Sequence, residues 1–106
     1  MQIDLQIKRE YLNAILSGEK TEEFRECTDA NLKKFCNLDA EGNAESIKPI
    51  QRIRFFNGYE TNRPMAIVEV NALTLDPYED VDPEAAEQED CIFVFKLGSI
   101  LERANC

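Results

Sequence analysis

Within six residues the chain places Lys20, Glu23 and Arg25, with Thr21 between the first two. An extended segment sends alternate side chains to opposite faces, so Thr21, Glu23 and Arg25 share one face of a strand and Lys20 stands at its entrance. The chemistry available there is recognition of a polar, partly anionic molecule. Arg25 can present a planar fork of N–H donors to a phosphate or a base edge, and Glu23 can accept from an exocyclic amine. Lys20 can neutralise an anion or stabilise an oxyanion. The same three residues can instead form an ion-pair network that closes the end of a sheet. Were the chain an enzyme, Lys20 would act as electrostatic stabiliser, Thr21 as nucleophile and Glu23 as base or proton shuttle.

Other chemistries are narrowed by composition. The 106 residues contain no histidine, which removes the usual proton shuttle near neutral pH and the usual base of Ser and Cys nucleophiles. Cys27, Cys36, Cys91 and Cys106 show no C-x-x-C spacing, so no metal site and no cofactor are expected. Cys27, Cys36 and Cys91 read as small buried hydrophobes, Cys106 as an exposed thiol, and a Cys27–Cys36 disulfide as an open alternative. A net charge of −9 argues against gripping nucleic acid through bulk electrostatics. That charge is local: through Arg63 there are ten basic and eleven acidic residues, and beyond it two basic and ten acidic. No apolar run is long enough to span a membrane and no leader pattern opens the chain, so a single cytoplasmic domain over 1–106 is expected.

Periodicity supplies the elements that must position the charged segment. Ile3, Leu5 and Ile7 alternate with polar residues as a half-buried strand. Tyr11, Leu12, Ile15 and Leu16 fall on one side of a following helix, which Gly18 can end in the left-handed conformation. Residues 20–26 alternate again, and Phe24 is the expected core anchor of that strand. Thr28 or Asp29 can cap a second helix carrying Leu32, Phe35, Cys36 and Leu38, with a loop over 39–43. Residues 50–56 form a β-branched and aromatic strand, and Asn57 with Gly58 marks a hairpin or broadened turn. The longest strand candidate covers 65–75. Eight acids and no basic residue lie in 76–90, a surface excursion in which Pro83 can open a short helix reaching Glu89. From Cys91 an apolar strand runs to Leu97, where Gly98 marks either a bulge in a continuing strand or the break before a last helix. The elements sum to an α+β fold, a small, mixed, mainly antiparallel β-barrel with short peripheral helices, closed so that no bare edge remains.

Gly18, Lys20, Glu23 and Arg25 stand in the spacing G-x-K-x-x-E-x-R after an amphipathic helix, and in this the chain resembles the ASCH domains. Further likeness lies in Asn57, Gly58 and Tyr59 after an apolar strand, in Val68, Glu69 and Val70, and in the run from Phe93 to Gly98. The stretch before Ile50 departs from the family, with Ser46, Ile47, Lys48 and Pro49 following a longer insertion where many members have a Gly-Asp turn. The resemblance implies a PUA-like barrel with a ligand cleft lined by Lys20, Glu23 and Arg25, taking RNA, a nucleotide or a modified nucleoside. Some small bacterial members are amidohydrolases of N4-acetylcytidine that use a lysine, a threonine three residues later and a distant glutamate. Lys20 matches the lysine, Glu23 occupies the threonine position, Thr21 is the nearest hydroxyl, and Glu89 lies in the run able to supply the glutamate.

Three functions follow as expectations: binding of RNA, a nucleotide or a nucleoside at the charged segment, with Tyr59 and Glu69 as secondary pocket candidates; hydrolysis of an acylated cytidine or single-stranded RNA; and docking of a basic protein partner on the acidic segment 76–90. Arg52 and Arg54 read as a solvated or cross-strand paired face.

Overall fold

The computed structural model describes residues 1–106, apart from the side chain of Gln88. Strand β1 (Gln2–Gln6) buries Ile3 and Leu5 and leads into helix α1 (Arg9–Ser17), which buries Leu12 and Ile15. Gly18 ends this helix at φ +86°, a conformation that costs a residue with a Cβ but not glycine. Its N–H donates to the Ile15 carbonyl at 3.2 Å and the Lys20 N–H to the Ala14 carbonyl at 3.0 Å, folding the chain back on the helix before β2 (Glu22–Glu26) begins. Thr28 caps helix α2 (Asp29–Phe35), its hydroxyl accepting from the Asn31 N–H at 3.1 Å. Strands β3 (Cys36–Leu38) and β4 (Ala44–Ile47) pair as a separate hairpin, and β5 (Arg52–Phe56), β6 (Met65–Pro77) and β7 (Cys91–Ala104) complete the chain.

The main sheet has the order β1-β5-β6-β7-β2, with β1 parallel to β5 and every other pair antiparallel. It curls into a half-barrel around a core to which both helices contribute. Phe35 of α2 plugs the concave side, meeting the rings of Phe93 and Phe95 edge-on at 5.0 and 5.1 Å. The α+β class and the mixed, mainly antiparallel sheet agree with the sequence reading. Closure does not: β1 and β2 are edges, not neighbours. What spans between them is a side chain, for Arg25 Nη2 on β2 donates to the Gln6 carbonyl on β1 at 2.8 Å. Lys34 Nζ caps a second β1 carbonyl, that of Asp4, at 2.6 Å. Cations on outward carbonyls are one way to blunt a strand edge.

Four local expectations are corrected. Phe24 is 48% exposed and Glu23 is 6% exposed, so the inward face of β2 is the charged one. The register explains this: Glu23 and Arg25 lie opposite the fully buried Phe95 and Phe93, which sets their face toward the core. Tyr11 is exposed rather than packed with Leu12 and Ile15. Helix α2 stops at Phe35, since Cys36 and Leu38 pair with β4 instead. Pro83 opens only a turn, and a single 3-10 turn at Gln88–Asp90 precedes β7. At Gly98 the strand continues through shifted register, and the Asn71 side chain occupies the space beside its Cα, 2.7 Å from where a Cβ would stand. All four cysteines are free thiols; Cys36 is buried, Cys27 and Cys91 are only partly so, and Cys106 is exposed.

Candidate functional site

The site is built around one buried carboxylate. Glu23 Oε2 accepts from Arg25 Nη2 at 2.8 Å, and Oε1 lies 3.3 Å from Lys20 Nζ and accepts from the Phe24 N–H at 3.2 Å. A carboxylate at this depth is tolerated because two cations and an amide replace the water it has lost. Lys20 reaches it because the Gly18 turn delivers its backbone against Ala14, and Arg25 because it is two residues along the same strand face. Arg25 makes both of its bonds, to Glu23 and to Gln6, through Nη2, leaving Nη1 and Nε outside them.

Tyr11 and Phe24, which sequence pattern places in the core, lie here instead. The Lys20 ammonium sits 5.6 Å from the centroid of Tyr11 and 5.5 Å from that of Phe24. Both rings, about half exposed, line a groove of ≈390 Å³ together with Lys8, Glu23, Arg25 and Asn31. The groove runs between the two sheet edges, with residues from the end of β1 on one side and β2 on the other. A signal for Phe24 was present in the alternation, which sets it on the face of Glu22 and Glu26. Nothing in the helical periodicity separates Tyr11 from its apolar neighbours.

Lys20, Glu23 and Arg25 are therefore brought together, but not as three free ligand groups. Glu23 is occupied by its neighbours, and the surface offered to a ligand is the unused edge of Arg25 and the two rings. Thr21 lines a different hollow, with Lys20, Leu97 and Gly98. Thr21 and Glu23 thus do not face one space. Tyr59, at 86% exposure, covers no core and lines a second hollow beside Arg9 and Arg63. Glu69 stands opposite Arg52 across β5 and β6, and Glu89 is exposed in the acidic excursion; neither lines the groove. Arg54 is held by Asp4 through two bonds of 3.0 and 2.8 Å, which raise its pKa, so this arginine is paired across strands.

Burial raises the pKa of the Cys36 thiol, and burial with the proximity of Cys91 and Cys36 raises that of Cys27. Cys91 is raised by desolvation and by the carboxylates of Asp90 and Asp76. Such thiols are poor nucleophiles at neutral pH. Among the described residues no cluster of three or more His, Cys, Asp or Glu can hold a metal ion, and no helix is long and apolar enough to cross a membrane.

Compared with family models, curated proteins and solved structures, the chain matches none.

Proposed function

We propose that this chain is a recognition module of the ASCH kind, on a PUA-like half-barrel, that takes the base of a nucleotide or of single-stranded RNA into the groove between β1 and β2. The observation that carries this reading is the pair of half-exposed rings, Tyr11 and Phe24, lining a groove whose wall holds a guanidinium with unused donors, each ring centroid within 5.6 Å of the Lys20 ammonium. A base has a flat π-face for the rings and acceptors or a neighbouring phosphate for Arg25. The groove volume suits one nucleoside-sized group, toward the lower end of the roughly 300–1,000 Å³ of small-molecule pockets. The likeness of the 18–25 segment to the ASCH signature supports the same reading.

Within it, Glu23 is a positioning residue that holds the Arg25 guanidinium and the Lys20 ammonium in place. This division also argues against the hydrolase reading, since Thr21 and Glu23 open on separate hollows. The first test uses Tyr11, an exposed residue, so that binding and folding separate. Tyr11→Ala should weaken nucleoside monophosphate binding about tenfold, on the scale of one lost base–aromatic stack, with an unchanged circular dichroism spectrum. Titration calorimetry measures it. If Tyr11→Ala, Lys20→Ala and Arg25→Ala all leave the affinity for every nucleotide unchanged, the groove is not the binding site.

A further inference from the structure

We propose that the hollow beside Arg9, Tyr59 and Arg63 is a second nucleotide subsite, so that the ligand is a single-stranded oligonucleotide and not a lone nucleoside. This rests on the groove being a base pocket, and it extends that reading to a separate set of residues.

The hollow is larger than the groove, ≈630 Å³, and its wall is polar, with Asn57, Asn62 and two arginines against the single carboxylate of Glu60. Both arginines are uncommitted. Among the described residues the ion pairs join Lys20 and Arg25 to Glu23 and Arg54 to Asp4, and neither Arg9 nor Arg63 takes part in any of them. Arg63 lies with its guanidinium carbon 4.1 Å from the centroid of the Phe56 ring, a contact that takes up its face and leaves its N–H groups without an acid. Arg9 donates through Nε to Asn13 Oδ1 at 3.2 Å, an exposed contact that leaves both Nη groups outside it. On a chain of net charge −9, two unpaired arginines at one hollow form a local basic island, the footprint that phosphate recognition requires. Tyr59 adds an almost fully exposed ring beside them, a stacking surface for a base.

The two spaces are neighbours separated by one layer of residues. Gln6 and Ile7 line the groove; Asn57 and Gly58 line the hollow. Three hydrogen bonds tie them together: Gln6 Nε2 to the Gly58 carbonyl at 3.0 Å, the Gly58 N–H to Gln6 Oε1 at 3.2 Å, and Asn57 Nδ2 to the Ile7 carbonyl at 2.9 Å. Lys8 faces the groove and the next residue, Arg9, faces the hollow. A strand with one base in the groove therefore passes its phosphate over Lys8 and Arg9 and reaches Tyr59 and Arg63 with the next nucleotide.

Binding of a nucleoside monophosphate and of a tetranucleotide, in ribose and deoxyribose forms, should be compared across variants of each space by fluorescence anisotropy over a range of salt. The double variant Arg9→Gln, Arg63→Gln should weaken the tetranucleotide at least tenfold and leave the monophosphate unchanged. Its slope of log affinity against log salt should fall by about 1.4, two phosphate contacts at about 0.7 each on a single strand. Tyr59→Ser, at a position that packs against nothing, should weaken only the tetranucleotide; this separates lost binding from lost folding. Equal response of both sugar forms points to the phosphodiester and the base as what is read, and a stronger ribose form assigns RNA. If Tyr11→Ala weakens the tetranucleotide while the Arg9, Arg63 and Tyr59 variants do not, the second subsite is wrong and the groove reading stands. If only the hollow variants matter, the groove reading falls and with it the path proposed from one space to the other. If neither ligand binds, both readings fall.

Discussion

Glu23 and the carboxylates of residues 76–90 use the same functional group in opposite ways. Glu23 is 6% exposed, held by two cations and a backbone amide, and placed opposite the Phe95 of the core. In the excursion Glu79, Asp80 and Glu84 are exposed, and no acid of that segment belongs to an ion pair among the described residues. The difference teaches where charge organises this fold. One carboxylate in a desolvated position fixes Lys20 and Arg25, and through Arg25 the spacing of the two sheet edges, whereas the acids of the excursion hold no cation among the described residues, and those at its two ends, Asp76 and Asp90, bear on the sheet through Cys91.

The largest test of this contrast is Arg25→Ala. It leaves the Glu23 carboxylate with Lys20 alone, removes the side chain that spans from β2 to Gln6, and should cost about 3 kcal/mol of stability in urea denaturation. Glu23→Gln, which removes the buried charge but keeps the shape, should cost less than Arg25→Ala. Loss of stability no greater than that of Glu79→Gln would erase the distinction between the two regions.

A smaller effect sharpens how the buried acid is assembled. Gly18→Ala places a Cβ at φ +86° with open space around it, so the cost is conformational alone, about 1 kcal/mol. Because the same turn delivers Lys20, nucleotide affinity should fall with stability. Neutralising Glu79, Asp80 and Glu84 together, by contrast, should change the unfolding free energy by no more than about 0.5 kcal/mol per site, measured in the same titration.

The smallest effect concerns pH, where the excursion does touch the sheet. Cys91 opens β7, and burial together with Asp90 and Asp76 holds its thiol above the ordinary value of 9.0; Cys27 and Cys36 are raised as well, chiefly by burial. A raised pKa means that the folded state keeps a proton the unfolded chain gives up. The stability this represents is complete below pH 9.0 and is lost as pH rises through the folded values. Urea midpoints should therefore be flat on this account from pH 7 to 8 and fall above 9, and the double variant Asp76→Asn, Asp90→Asn should make Cys91 alkylate faster at pH 8.5. An unchanged alkylation rate would mean that the excursion acts on nothing in the sheet.

Most elements were legible because each rests on local pattern. The alternation of Ile3, Leu5 and Ile7, the end of α1 at Gly18, the cap at Thr28 and the loop over 39–43 all follow from neighbours in the chain. Errors fell where two local rules compete or where a partner lies far along the sequence. Apolar character places Phe24 inward, yet its strand carries charge on both faces, and the inward face is the one with Glu23 and Arg25. Cys36 and Leu38 continue a helical spacing that loses to pairing with Ile47 and Ala44. The open edges are not legible because sheet closure depends on strand order, which no local pattern encodes.

By itself the sequence determined that Lys20, Glu23 and Arg25 lie within one turn-and-strand unit, that the acids gather in one excursion, and that histidine chemistry is absent. Those are properties of spacing and composition. Tertiary structure decided that Glu23 points into the core, that Tyr11 and Phe24 stand outside it, and that Arg25 joins the edges of an unclosed sheet. It alone could do so, because the face a strand buries is set by the register it adopts with β7, about seventy residues away, where the burial of Phe93 and Phe95 outweighs the cost of turning a compensated carboxylate inward.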